Sequence, residues 1–213
     1  MRVFDLTHEI TPEMPVYPGT EPPRFESANT YERDGFKETK ISMFTHTGTH
    51  VDPPAHLFEG KKTLDAFDID QFIGTALVID CTALCEGELI TMKQITPYGE
   101  QALHADFLLF HLGWDARWGT DAYFGDYPCI DDEVLSLILE GKYKGIGFDV
   151  IGLDPIADAA LVRHNALFAE REIINIENLK NLGQLPRGPV MFACLPLKIK
   201  DADGAPARAI AWV

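Results

Sequence analysis

The stretch HTGTHVDPPAH places His46, His50, Asp52 and His56 within eleven residues. Imidazole nitrogen and carboxylate oxygen together suit zinc, manganese or iron, and a set without thiolate lacks the make-up of a closed structural zinc site. An open coordination position beside such a set is the arrangement that activates water. The alternative is three histidines meeting by chance in a polar loop, each bonded to backbone. That reading needs four coincidences in one short segment.

The backbone must bring these side chains together, and neither regular element does so alone. A helix would pair His46 with His50, but Thr47, Gly48, Thr49, Val51, Pro53 and Pro54 all oppose helix. A straight strand separates His46 from His50 by ~13 Å, too far to share an ion. The chain must therefore bend, and Gly48 is the residue able to bend it. Beyond the bend His50 and Asp52 share one strand face, and His56 follows a rigid Pro-Pro step, close to the site without belonging to it by geometry alone. Asp52 could bridge two ions, which makes further ligands worth seeking. His164, in LVRHNALF, and Glu177, in EIINIENLKNL, are candidates. Taken alone, each also reads as structural: a capped or solvated histidine and a surface acid at a strand end.

Around these residues, apolar, β-branched or aromatic runs bounded by turn residues predict strands: ETKISMFTHT, TALVIDCT, DFLLFHLGW, GIGFDVIGL, EIINIENL, GPVMFACLPLKI and ARAIAWV. DDEVLSLILEGKY spaces Val134, Leu135, Ile138 and Leu139 helically after an acidic start, with Gly141 near its end. ITMKQITPYGEQAL, with Thr91 as N-cap, and DPIADAALVRHNALFAER are further helical segments, the first interrupted by Pro97 and Gly99. Strands outnumber helices and alternate with them only in part, so the expected fold is a mixed α/β domain spanning residues 1–213.

Lys+Arg 18 against Asp+Glu 33 gives a formal net charge of −15, which repels a phosphate backbone, and no basic run compensates. Nucleic acid is not an expected partner. No apolar run approaches the ~20 residues that span a bilayer, and MRVFDLTHEITPEM lacks a signal-peptide pattern, so a soluble, cytoplasmic protein is expected. Cys81, Cys85, Cys129 and Cys194 form no CxxC pair and read as buried free thiols, with Cys129 in a loop-like context. His8, His104 and His111 read as structural, and Asp149 and Asp154 as turn or cap residues. Trp114 and Trp118 either wall a pocket or pack.

HTGTHVDPPAH fits HxGTHxDxPxH, and the chain resembles the cyclase family of metal-dependent hydrolases, that of bacterial kynurenine formamidases and isatin hydrolases. DLTHEITPEMPVYPG, HLGWDARW, GFDVIGLDP, INIENLKNL and PLKIKDADGAPARAIAWV extend the likeness from end to end in the family's order. The resemblance implies a small β-barrel-like α/β domain flanked by helices and a divalent metal, zinc or manganese, in one or two ions per chain. By it His46, His50 and Asp52 hold one ion, Asp52 reaches a second, His164 completes that second position and Glu177 bridges both. Glu172 stands as a fallback ligand, and His56 becomes the acid/base. Tyr17 falls where formamidases of the family usually carry tryptophan, a platform for the substrate ring. A homodimer or larger homo-oligomer is also implied.

The expected activity is that of an arylformamidase opening N-formylkynurenine to kynurenine and formate, within tryptophan breakdown. Hydrolysis of a cyclic amide competes with it, using the same metal and His56. A metal-dependent binding or structural protein without turnover is the alternative of another class, and a spare His56 beside an open position argues against it.

Overall fold

All seven apolar runs contain strands in the computed structural model, which describes residues 1–213. In chain order the strands are β1 (Val3–Asp5), β2 (Arg24–Asn29), β3 (Glu38–Ser42), β4 (His50–Asp52), β5 (Ile73–Asp80) and β6 (Leu89–Ile90). They continue with β7 (Phe107–His111), β8 (Cys129–Ile130), β9 (Gly145–Phe148), β10 (Ile174–Glu177), β11 (Val190–Pro196) and β12 (Ala205–Trp212). The main sheet runs β1-β12-β11-β5-β7-β9-β10-β4, and β4 pairs again with β12, closing seven strands into a barrel with β1 added outside the ring. Parallel pairing joins β5, β7, β9 and β10, and the remaining pairs are antiparallel.

Alternation along the strands divides the core in two. One buried cluster takes Val51, Ala76, Phe107, Leu109, Ile174, Ile176, Phe192 and the β12 alanines 205, 207, 209 and 211, contributed from around the ring. A small barrel closes only if its interior mixes bulky and small side chains. Gly145 and Gly147 on β9 supply more of that economy: a Cβ at either would strike Phe107, Leu109, Ile174 or Leu179. The second cluster lies between the outer faces of β5, β7 and β9 and the helices, through Leu77, Leu108, Phe110, Phe148, Val134, Ile138, Leu167 and Phe168.

The helices are α1 (Tyr31–Asp34), α2 (Met92–Ile95), α3 (Glu100–His104), α4 (Asp132–Glu140) and α5 (Val162–Glu170). Asp131 caps α4 through the Val134 N–H, and Thr91 forms a capping box with Gln94 at α2. Pro97 and Gly99, at φ 52°, divide α2 from α3. The helix expected from Asp154 onward is shorter than its composition suggests: residues 154–161 are irregular, and Leu161 at φ 49° precedes the first turn of α5. Asp154 is held back by capping that turn, its carboxylate accepting the N–H groups of Arg163 and His164.

Cys81, Cys129 and Cys194 are buried free thiols, but Cys85 is exposed. Its segment turns outward, with its N–H bound to Glu88. Cys129 lies in the short strand β8, not a loop. Asp149 does serve a turn, its buried carboxylate accepting the N–H groups of Leu112, Gly113 and Trp114. Both tryptophans pack: Trp114 donates to the Tyr123 carbonyl and Trp118 stacks on His8 at 3.8 Å. The β2–β3 hairpin stands apart from both cores and exposes Phe25, Phe36 and Ile41 near its arm. No helix is long and apolar enough to cross a membrane.

Candidate metal centre

Val51 points into the barrel, so its neighbours His50 and Asp52 point out of it. Opposite them in antiparallel register stand Glu177 and Asn175 of β10, with Ile176 facing inward between them. Four polar side chains thus occupy one patch of the outer barrel face, and all are buried. Gly48, at φ +65°, makes the bend that returns His46 to this patch. Its carbonyl receives a hydrogen bond from Asn178 Nδ2 at 2.9 Å, and Asn178 Oδ1 in turn accepts from the Tyr123 hydroxyl at 2.6 Å. The same Gly48 carbonyl lies 2.8 Å from His50 Nδ1, which leaves His50 Nε2 directed at Asp52 Oδ1, 3.2 Å away, and Glu177 Oε2, 3.5 Å away. Anchoring one imidazole nitrogen this way fixes the ring and its tautomer for ligation through the other.

His46 Nδ1 lies 2.7 Å from Asp52 Oδ1, while its Nε2 is buried without a hydrogen-bond partner, 3.5 Å from Asp203 Oδ2. Gly204 backs the ring so closely that a Cβ would fall onto it. On the far side α5 delivers His164. Asp154 takes its Nδ1 at 2.7 Å, and Nε2 faces Glu177 Oε1 at 3.2 Å and Asp52 Oδ2 at 3.9 Å. The Leu153 N–H steadies Glu177 Oε1 at 3.0 Å. Two donor groups, His46/His50/Asp52 and Asp52/His164/Glu177, share Asp52, and a third in the same patch, His46/His56/Asp203, shares His46.

The electrostatics follow from burying these acids and bases together. Burial opposes the His50 imidazolium, yet Asp52 and Glu177 more than offset it and raise its pKa to about 9. His164 is raised well above the ordinary histidine range, against burial, by Asp154, Asp52 and Glu177. Asp52, despite burial, is held well below the carboxylate range by His50 and His46. Positive charge is what the patch demands, and the deprotonated donors are those that bind a divalent cation. The unpartnered His46 Nε2, the two anchored histidines and the paired carboxylate oxygens all fit such an ion.

His56 ends a one-turn 3-10 helix that starts at Pro54, its ring 4.0 Å from that of His46 and 6.1 Å from that of His164. It stands beside both donor groups without joining the triads that share Asp52. Burial lowers its pKa below the usual histidine value. A cleft of about 310 Å³ opens over the patch, bounded by Tyr17, Val16, Phe44, Ile151 and Leu161. All seven predicted site residues, Tyr17 among them, line this cleft. Glu172 does not: it is exposed on the surface, bound to Lys62 at 3.0 Å. Asn175, Asn178, Asp203 and Gly204 were not singled out by sequence, and Asp154 was read only as a cap or turn. The terminal DADGA and the polar alternation of Asn175 with Glu177 were the available signals.

The sequence profile of the family described as putative cyclase matches residues 4–155. The chain belongs to the cyclase family of metal-dependent hydrolases. It is 30% identical over 209 residues to a kynurenine formamidase of Bacillus cytotoxicus, covering 97% of this chain and 95% of that one. A kynurenine formamidase of Bacillus cereus is 31% identical over 210 residues, with the same coverage. Among solved structures, an isatin hydrolase bound to the product analogue thioisatinate superposes with a TM-score of 0.87 at 26% identity, covering 99% of this chain and 92% of that one. Isatin hydrolase A of Labrenzia aggregata gives 0.84 at 28% identity, with coverage of 99% and 93%. The mixed α/β barrel flanked by helices is therefore the cyclase fold, as the resemblance implied.

Proposed function

We propose that this cyclase hydrolyses the amide bond of a small aromatic substrate, with N-formylkynurenine as the leading candidate, and that residues 1–213 act as one catalytic unit. The observation that carries the reading is the pair of donor triads sharing Asp52, with His56 beside them at the floor of a cleft with apolar walls. His46, His50 and Asp52 form the first ion position, zinc or manganese. Asp52, His164 and Glu177 would hold the second, and Glu177 is placed to serve both, since its two oxygens face His50 and His164 separately. A divalent ion held there lowers the pKa of bound water to roughly 7 and polarises an amide carbonyl.

His56 takes the proton from the attacking water on a ring nitrogen and returns it to the departing nitrogen, which leaves poorly unless protonated. Tyr17, half-exposed at the rim, offers its ring to the aryl group, and Phe44 and Val16 exclude water beside it. A homo-oligomer is supported by the apolar side chains on the β2–β3 hairpin, and the four unpaired thiols fit a reducing cytoplasm.

The test is to load metal-stripped protein with zinc or manganese and follow N-formylkynurenine hydrolysis, with His56→Ala loaded identically. Metal-dependent turnover is expected, with kcat falling ~10²–10⁴-fold in the variant at unchanged metal content. Turnover that survives the substitution removes His56 from the mechanism. A second reading, hydrolysis of a cyclic amide, draws on the structural likeness to isatin hydrolases and on Tyr17 in place of tryptophan. Bound metal without formylkynurenine turnover, followed by opening of isatin, would decide for it.

A further inference from the structure

β10 puts Asn175 two residues before Glu177 on the same outward face and directly across from Asp52. The side chain is completely buried. Its Nδ2 donates to Glu177 Oε1 at 2.8 Å and to Asp52 Oδ2 at 3.1 Å, and it lies 3.4 Å from His164 Nε2. Those three atoms belong to the second triad, His164 Nε2 facing Glu177 Oε1 at 3.2 Å and Asp52 Oδ2 at 3.9 Å. The three donors line the cleft and Asn175 does not, so the carboxamide backs the group from the side away from the cleft, its N–H groups already bound to the acids. An amide nitrogen offers protons and no lone pair to a cation. Turning the group over would set its oxygen against two carboxylate oxygens with no proton between them. The neighbours thus hold the nitrogen inward, even though Oδ1 is left buried without a partner.

The first triad meets Asn175 only through Asp52 Oδ2. Its unpartnered atom, His46 Nε2, is itself a donor to a cation. The two positions share Asp52, but the second has both of its acids, Glu177 and Asp52, engaged by the neutral Asn175, and the first has only the shared one.

We propose that Asn175 makes the centre asymmetric: one ion is held tightly by His46, His50 and Asp52, and the second position fills only at markedly higher metal concentration, because the Asn175 N–H groups occupy its acids. This rests on the reading of the patch as a metal centre. The experiment is equilibrium dialysis of metal-stripped native protein, Asn175→Ala and Asn175→Val against graded zinc, with bound ions counted by mass spectrometry. The native chain should reach one ion per chain in a tight step, with a second step at least about tenfold weaker. Both variants should keep the first step and tighten the second by about tenfold or more. Two steps of equal affinity in the native chain overturn the proposal, and that result stands even if neither variant folds. A second step unmoved in a folded variant overturns it equally. Binding at neither step would instead sink the metal reading beneath it.

Discussion

The two halves of the proposed metal centre are built by different means. His46, His50 and Asp52 come from one segment, brought together by a single bend at Gly48, and their supports are chiefly backbone: the Gly48 carbonyl behind His50 and Gly204 behind His46. His164 and Glu177 come from a helix and a strand separated by irregular chain, and what holds them is mixed: the Asp154 side chain behind His164, the Leu153 N–H on Glu177 and the Asn175 carboxamide across its acid. A half written into consecutive residues needs fewer elements to deliver it, though Gly204 must still leave room for the His46 ring. A half assembled by topology depends on every element that delivers it.

The sharpest way to break this contrast is at the residue both halves share. Asp52→Ala should abolish metal retention at either position and reduce turnover by about 10³-fold or more, the equivalent of several kcal/mol of transition-state stabilisation. Asp154→Ala should separate the halves. Metal affinity at the His164 position is expected to drop ~10–100-fold with the first position intact, alongside ~1 kcal/mol lost from the α5 cap. Metal counting together with a thermal melt reads both effects, and equal weakening of the two positions would erase the distinction.

Gly204→Ala is the mirror experiment. The added methyl displaces the His46 ring, so the first position should weaken by about tenfold while His164 and Glu177 keep their geometry. The smallest effect is expected outside both halves, at His8. Burial, with Lys180 nearby, lowers its pKa from 6.5 to about 4. The folded chain then stays neutral there while the unfolded chain takes up a proton, so this stability is complete above about pH 6.5 and drains as the pH falls toward 4. His8→Phe keeps a ring against Trp118 and should melt higher than the native chain at pH 5, with little difference at pH 8. A native chain that is no less stable relative to this variant at pH 5 than at pH 8 would contradict that sign.

The near half was legible because its chemistry and its geometry lie in the same eleven residues. Proline, glycine and β-branched residues excluded a helix, and a bend at Gly48 was the path left. The strands were legible for the same local reason, since runs such as TALVIDCT carry their own alternation. His164 and Glu177 were visible as odd residues in apolar surroundings, but nothing local distinguishes a ligand from a capped histidine or a strand-end acid, and the resemblance had to decide. Asp154 shows why: it is a helix cap, as read, and the same carboxylate also aims His164. Gly204 escaped notice because its importance lies in a ring 158 positions earlier in the chain, met only when the barrel closes.

That closure runs through the ligand-bearing strand. β4 is hydrogen-bonded to β10 on one side and to β12 on the other, with Pro206 opposite His50 and the Ala207 N–H on the Thr49 carbonyl. In chain order β4 ends at Asp52 and β12 begins only at Ala205, so His46 and His50 are made long before the stave that locks them. A chain shortened before β12 would carry the motif without the strand that fixes it, so the eleven residues are necessary to the centre and not sufficient for it.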